Sequence, residues 1–271
     1  MIPRSAIHVC RINWVSRRIL WDLVLRDFRL RYLGSALGTV WNFLHPLAMI
    51  VIFSVVFSRL NRADLGPAGR GHPLAYTMYL CSALLPWNAF VDGLLRGTRG
   101  FHENAGYIKK MSFPLEIVHP VAVGAASVTL VISWAIYITL MAVSGFGVGS
   151  SVLLLPLIYI LQVLLVCGMA MVLSILNVFF RDVEQVTAIA LQLGFWLTPI
   201  VYLEAVIPAH LHGFLYLNPF YFFTRLYHQV LFLQEWPSAK SLAGTAALCL
   251  AVFVLGAAFL SRLKDQVPDE V

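Results

Sequence analysis

The stretch that decides the fold runs from Ile117 to Phe180, IVHPVAVGAASVTLVISWAIYITLMAVSGFGVGSSVLLLPLIYILQVLLVCGMAMVLSILNVFF, 64 residues without an Asp, Glu, Lys or Arg. As one helix at 1.5 Å per residue it would measure about 96 Å, against about 30 Å for the hydrocarbon core of a bilayer. The run therefore has to fold back. Its glycines and serines collect in Ser144-Gly145-Phe146-Gly147-Val148-Gly149-Ser150-Ser151, where glycine reaches backbone angles closed to other residues and breaks the helix. Two membrane spans result, 117–143 and 152–180.

The same criterion extends outward. A charge at mid-bilayer costs about 2.5–3.5 kcal/mol on insertion scales, so the gaps between charged residues outline further spans. They fall at 36–58, 73–95, 186–203 and 241–261. Segment 205–234 is apolar and aromatic but is cut by Pro208 and by Asn218-Pro219. Its longest piece, Phe220 to Leu233, has a length suited to a re-entrant or interfacial helix. The expected fold is an all-α integral membrane protein with six transmembrane helices. Residues 1–35 form a cytoplasmic tail with an amphipathic interface helix, 36–264 the membrane domain, 96–114 a cytoplasmic loop and 265–271 a cytoplasmic tail. Short re-entrant extracytoplasmic helices precede the last span.

Composition agrees. Of 271 residues, 60% are hydrophobic and 12% charged, and the mean hydropathy is +0.81; a soluble domain is about a quarter charged. The net charge of +6 sits beside apolar stretches, which points to a membrane surface and away from nucleic acid. Seven arginines precede the first span with no short apolar core and cleavage site among them, so no cleavable signal peptide is expected and the N-terminus stays in the cytoplasm. Six spans in that orientation put 14 of the 19 Lys and Arg residues inside, and leave Arg59, Arg62, Arg70, Arg225 and Lys240 outside, in keeping with the positive-inside rule. Cys10, Cys81, Cys167 and Cys249 lack motif spacing and read as small apolar fillers.

On a wheel of 100° per residue, Arg18, Asp22, Arg26 and Arg29 fall within about 80°, opposite a broad apolar arc. Asp27 and Arg31 sit together inside that arc. Two readings are open for them: a local ion pair where the helix packs on the first span, or a site for an anionic head group. In the loop Arg96 to Pro114, Glu103, Lys109 and Lys110 bracket a helix-compatible segment containing Tyr107 and Ile108, a form suited either to a solvated connection or to docking in a groove on a cytoplasmic partner. Aromatic residues flank helix breakers: Trp41 and Phe43 near Pro46, Trp87 and Phe90 after Pro86, and Phe195, Trp196 and Tyr202 around Pro199. They read either as helix packing or as flat faces along a path for sugar rings. Pro46, Pro86, Pro199 and the break at Arg181-Asp182 are candidate hinges. No G-x-x-x-x-G-K-[ST] occurs, so nothing in the chain cradles ATP phosphates. Metal-binding and catalytic clusters are likewise missing; the close pair His210 and His212 is too little for a metal site.

Six segments together resemble the membrane subunit of ABC polysaccharide exporters with an ABC transmembrane type-2 domain, the permeases for O-antigen, teichoic acid and capsule. They are RDFRLRYLGSALGTVWNFLHPL (26–47), LLPWNAF (84–90), IKKMSFPLEIVHP (108–120), LNVFFRDVEQV (176–186), FWLTPIVY (195–202) and LNPFYFFTRLYHQVLF (217–232). The O-antigen branch fits best. The resemblance implies a homodimer in the cell inner membrane and a separate cytoplasmic ATPase subunit, two copies of it, carrying ATP and Mg. It implies a coupling helix between spans two and three, for which Glu103, Tyr107, Ile108, Lys109 and Lys110 are candidates. The implied cargo is an undecaprenyl pyrophosphate-linked glycan, with Arg26 and Arg31 as candidates for the pyrophosphate and Trp41, Phe43, Trp87, Phe90, Phe195, Trp196 and Tyr202 for the path. No cofactor is expected on this chain, and no enzymatic activity. The alternatives are a type-2 exporter of a smaller lipid or drug, and a membrane glycosyl- or acyltransferase.

Overall fold

A computed structural model describes residues 2–31, 34–60, 72–110, 114–208, 210 and 212–271. Among the described residues the regular structure is entirely helical. The helices are α1 (Ile2–Val15), α2 (Arg17–Leu30), α3 (Trp41–Leu60), α4 (Ala75–Glu103), α5 (Ala105–Lys110), α6 (Val118–Ser144), α7 (Leu155–Phe179), α8 (Val183–Leu197), α9 (His212–Leu215), α10 (Phe220–Tyr227), α11 (Ala239–Leu263) and α12 (Val267–Glu270).

The run from Ile117 to Phe180 folds back as its composition requires. Helix α6 ends at Gly145, which takes φ +81°, and Gly147 takes φ +83°; both angles lie in the left-handed region that suits glycine. A short 3-10 turn, Ser150–Leu154, then leads into α7. Helix α4 is the hub, buried continuously from Ala75 to Trp87. Helices α6 and α7 both pack on it, α11 packs on α7, and α1 lies against α11. The crossing of α7 and α11 depends on two glycines. A Cβ on Gly168 would stand 2.7 Å from the backbone N and Cα of Phe253, and one on Gly256 would overlap the Gly168 carbonyl.

Five described helical segments are long and apolar enough to cross a bilayer: Gly38–Val56, Ala75–Lys109, Leu115–Ser144, Ser150–Phe179 and Ala239–Glu270. Three boundaries differ from the sequence reading. The helix of the second span does not stop at residue 95: α4 continues to Glu103 and α5 follows at once, so the loop expected over 96–114 is largely helical. At 29 residues, α4 is about 44 Å long and projects beyond the hydrocarbon. The expected span 186–203 is instead α8, 15 residues from Val183 to Leu197, about 22 Å long. It ends there because Thr198 precedes Pro199 and is held extended at ψ 134°, as the proline ring disfavours helix in the residue before it. Lastly, an amphipathic helix not expected from the sequence, α1, precedes α2.

The 14 residues Phe220 to Leu233 are helical throughout, α10 passing into a π-helical turn at His228–Leu233. This piece is about 21 Å long, shorter than a hydrocarbon core of about 30 Å. Its side chains Phe220, Phe223, Leu226, Tyr227, Val230 and Leu231 are fully buried against the bundle.

Candidate substrate and coupling site

Asp27 on α2 and Arg31 at its C-terminal cap stand four residues apart, and Asp92 and Arg96 stand four apart on α4. The two pairs meet head to tail. Arg31 Nη2 donates to Asp92 Oδ2 at 2.8 Å, and Arg96 Nη2 donates to Asp27 Oδ2. This corrects the expectation of a local Asp27–Arg31 pair on the first span: α2 lies on α6, and each of its two charges is claimed by α4. The reason is reach. Neighbours on one helix face interact weakly, whereas a facing helix with the complementary spacing satisfies both charges by charge-assisted bonds. Arg31 Nη1 also approaches Thr129 Oγ1 at 3.5 Å, and the Thr129 hydroxyl donates to the buried Asn42 at 3.3 Å.

These groups form one wall of a cavity of about 420 Å³ between α3, α4 and α6, lined by Arg31, Trp41, Asn42, His45, Asn88 and Asp92, with Pro46 at its edge. The structure thus brings together Arg31, Trp41 and Pro46, three residues singled out from the sequence. A second cavity, of about 230 Å³, lies between α2, the end of α4, α5 and the start of α6, where Arg26 and Asp27 face Glu103 and Tyr107. The Arg26 guanidinium sits 5.4 Å from the centre of the Tyr107 ring, within cation–π range. A head-group candidate and a coupling candidate therefore touch.

The remaining coupling candidates separate. Glu103 pairs with Arg99 at 3.5 Å, and Arg99 reaches Glu184 on α8 at 3.6 Å. Lys109 is exposed, and the side chain of Lys110 lies outside the described residues. Ile108 is buried within the chain's own core, so it is not free to enter a partner's groove as expected. Apolar and flanked by lysines, it reads from the sequence as docking or as core, and only the fold decides.

The aromatic candidates divide as well. Trp87 and Phe90 are buried in a cluster with Phe220, their ring centres 5.0 and 4.9 Å from it. Phe195 is half-buried at 6.0 Å from Trp87. Trp41, Phe43 and Trp196 are exposed. Tyr202 is half-buried, and its hydroxyl donates to the Trp196 carbonyl at 2.8 Å. Of the hinge candidates, Pro46 and Pro86 lie inside α3 and α4. The Pro86 carbonyl accepts from Gln162 Nε2 at 3.0 Å, and Gln162 Oε1 accepts from the Tyr227 hydroxyl at 2.7 Å. Pro199 begins an irregular stretch pinned to α4 by the hydroxyls of Tyr79, 3.3 Å from the Pro199 carbonyl and 3.0 Å from that of Tyr202, and of Tyr76 on the Val201 carbonyl. Arg181 and Asp182 are exposed in the turn between α7 and α8.

Sequence reasoning missed Asp92, Arg96, Asn42 and Thr129. One signal was present: Asp92-Gly-Leu-Leu-Arg96 repeats the D-x-x-x-R spacing of Asp27-Phe-Arg-Leu-Arg31. The residue Asn218 was read only as a breaker. It also organises the start of α10, accepting from the Phe220 N–H at 3.0 Å and donating to Thr198 Oγ1 at 2.5 Å.

Long apolar helices around a buried hub, an amphipathic helix clasped to that hub, and paired charges in the wall of a cavity define a multi-pass membrane permease. The chain belongs to the ABC-2 type transporter family, which it matches over residues 19–232. It is similar to the O-antigen export system permease protein RfbA of Klebsiella pneumoniae, 29% identical over 205 residues that cover 74% of this chain and 76% of the relative. RfbA of Myxococcus xanthus, also an O-antigen export system permease protein, is 23% identical over 98% of this chain and all of the relative. The polysialic acid transport protein KpsM of Escherichia coli is 22% identical over 90% of this chain and 92% of the relative.

Proposed function

We propose that this chain is the channel-forming subunit of an ATP-driven exporter that moves a lipid-linked polysaccharide, such as an undecaprenyl pyrophosphate-linked O-antigen, outward across the cell inner membrane. It works as a homodimer with two copies of a cytoplasmic ATPase, and ATP and Mg belong to those copies. Both termini and α5 face the cytoplasm. The observation that carries the reading is the head-to-tail clasp: α5 continues the hub helix α4, and α4 is bonded to α2 through Asp92–Arg31 and Arg96–Asp27. A push by the ATPase on α5 therefore reaches the cavity that holds Arg31.

Arg31 faces one carboxylate in that cavity, and a pyrophosphate offers more acceptor oxygens and more charge than Asp92 does. The substrate head group competes for Arg31 and loosens α2 from α4, which couples loading to movement. Exposed apolar side chains on α3 (Val51, Ile52, Val55) and α8 (Val186, Ile189, Leu193) are the surface a second copy covers. Trp41 and Trp196, exposed, serve the sliding sugar rings by many weak contacts, while the buried Trp87 and Phe90 support them from behind.

The test compares two arginines. In cells producing the ATPase and the lipid-linked glycan, Arg31→Gln impairs export strongly, whereas the exposed Arg11→Gln does not, with both variants inserted at normal levels. Equal and mild effects would leave Arg31 a structural anchor and remove it from substrate recognition.

A further inference from the structure

Helices α6 and α7 both pack on α4 and touch each other little, which leaves a furrow between them on the outer surface of the bundle. Helix α2 closes one end. The resulting groove has a volume of about 640 Å³ and is almost wholly apolar, with Leu20, Trp21, Pro120, Val131 and Ile160 among its walls. The small residues Gly124 and Ser127 on α6 keep it deep. Gly124 is also where α2 docks, since a Cβ there would stand 2.7 Å from Val24 Cγ2.

Two features restrict the occupant. Along α6 the groove runs from Pro120 to Ile132, about 18 Å at 1.5 Å per residue, close to the half-thickness of a hydrocarbon core of about 30 Å. That is the depth of one leaflet, the length of an ordinary acyl chain and far less than a long polyprenyl chain. A cation follows the α2 wall of the groove. Arg17, Leu20, Trp21 and Val24 follow i, i+3, i+4, i+7 spacing on α2 and so share one helix face. Arg17 is exposed one turn before Leu20 and Trp21 on that face, its guanidinium 5.1 Å from the Trp14 ring centre and donating through Nη1 to the Trp14 carbonyl at 3.3 Å, with Arg18 next to it in the chain. An apolar slot one leaflet deep, with two exposed arginines one turn beyond its α2 wall, suits an anionic amphiphile.

We infer that the groove between α2, α6 and α7 is a binding site for one acyl chain of an anionic phospholipid whose head group pairs with Arg17. The bound lipid fixes α2 against α6, and the site is separate from the cavity that holds Arg31 and Asp92.

Native mass spectrometry of the full-length chain in detergent tests this, with phosphatidylglycerol and phosphatidylcholine of identical acyl chains added in parallel. The wild-type chain retains phosphatidylglycerol at an at least threefold lower lipid concentration than phosphatidylcholine. Arg17→Gln removes that preference and leaves phosphatidylcholine retention unchanged. Val131→Trp, a lipid-exposed position that fills the groove, lowers retention of both lipids. Equal retention of the two lipids by the wild-type chain, or wild-type behaviour of both variants, overturns the proposal. Displacement of bound phosphatidylglycerol by an equimolar polyprenyl phosphate also overturns it, by making the groove a place for the cargo's lipid tail.

Discussion

At the residue scale the structure turns on four charges that would be expensive singly in a membrane protein. Asp27, Arg31, Asp92 and Arg96 are partly buried, with side-chain exposures of 29, 21, 36 and 14%. Removing one partner leaves a desolvated charge, which costs about 1–3 kcal/mol. Arg31→Asp alone sets two carboxylates face to face, as Asp92→Arg alone does two guanidinium groups. Each single variant is therefore expected to melt several degrees below wild type in detergent, while the double variant Arg31→Asp/Asp92→Arg recovers at least half of the loss. A double-mutant cycle on thermal unfolding measures the coupling; additive losses would show that the two groups do not depend on one another. The sequence placed Asp27 and Arg31 correctly within an apolar arc, but it could not say what answered them. Their partners are more than sixty residues away, and only the docking of α2 selects Asp92 and Arg96 over the other charges near the membrane surface.

At the element scale, what was legible followed from one-dimensional physics. Runs without charge gave helices, and glycine clusters and prolines gave their ends: Gly145 closes α6, and Pro199 stops α8 through Thr198. Where a charge sits on helix that continues, the same rule fails. Arg96 and Arg99 fall in the loop expected over 96–114, yet α4 runs on to Glu103 past the hydrocarbon, and Asp27, Glu103 and Glu184 pair with those charges. Close helix crossings are equally invisible in hydropathy. The α7–α11 contact puts Gly168 against the backbone of Phe253, and backbone cannot step aside as a flexible side chain can. Gly168→Ala should therefore force the helices apart, at a cost of about 1–3 kcal/mol for overpacking. Its expected signature is a lowered unfolding midpoint, while Gly244→Ala, where the added methyl meets nothing within 4 Å, leaves the midpoint unchanged or slightly raised. An unchanged midpoint for Gly168→Ala would mean that the crossing is looser than described.

At the scale of the whole molecule, the aromatic candidates show the limit of sequence reasoning most clearly. Trp87, Phe90, Trp41 and Trp196 share composition and proximity to prolines, yet the first two are core and the last two are surface. Which side of a helix faces its neighbours depends on packing against α10 and α8, and no local pattern records it. Topology is the other global property at issue. Helix α8 and the piece Phe220 to Leu233 are both shorter than the bilayer core, so the number of crossings decides on which side the C-terminus lies. A reporter at the C-terminus and one near Gly106 on α5 are expected in the cytoplasm, and one near Gly147 outside; a C-terminal reporter found outside would make the piece Phe220 to Leu233 a true span.

In the function proposed above, this chain carries a polysaccharide across the membrane with energy supplied by another subunit. The most direct measurement is in proteoliposomes holding the chain and its ATPase, loaded with the lipid-linked glycan on the ATPase side. The account predicts that glycan becomes accessible to a glycosidase in the opposite compartment only when ATP and Mg are added, and that omitting either protein abolishes this. Glycan crossing with the chain alone, or ATP hydrolysis by the purified chain without its partner, would contradict it.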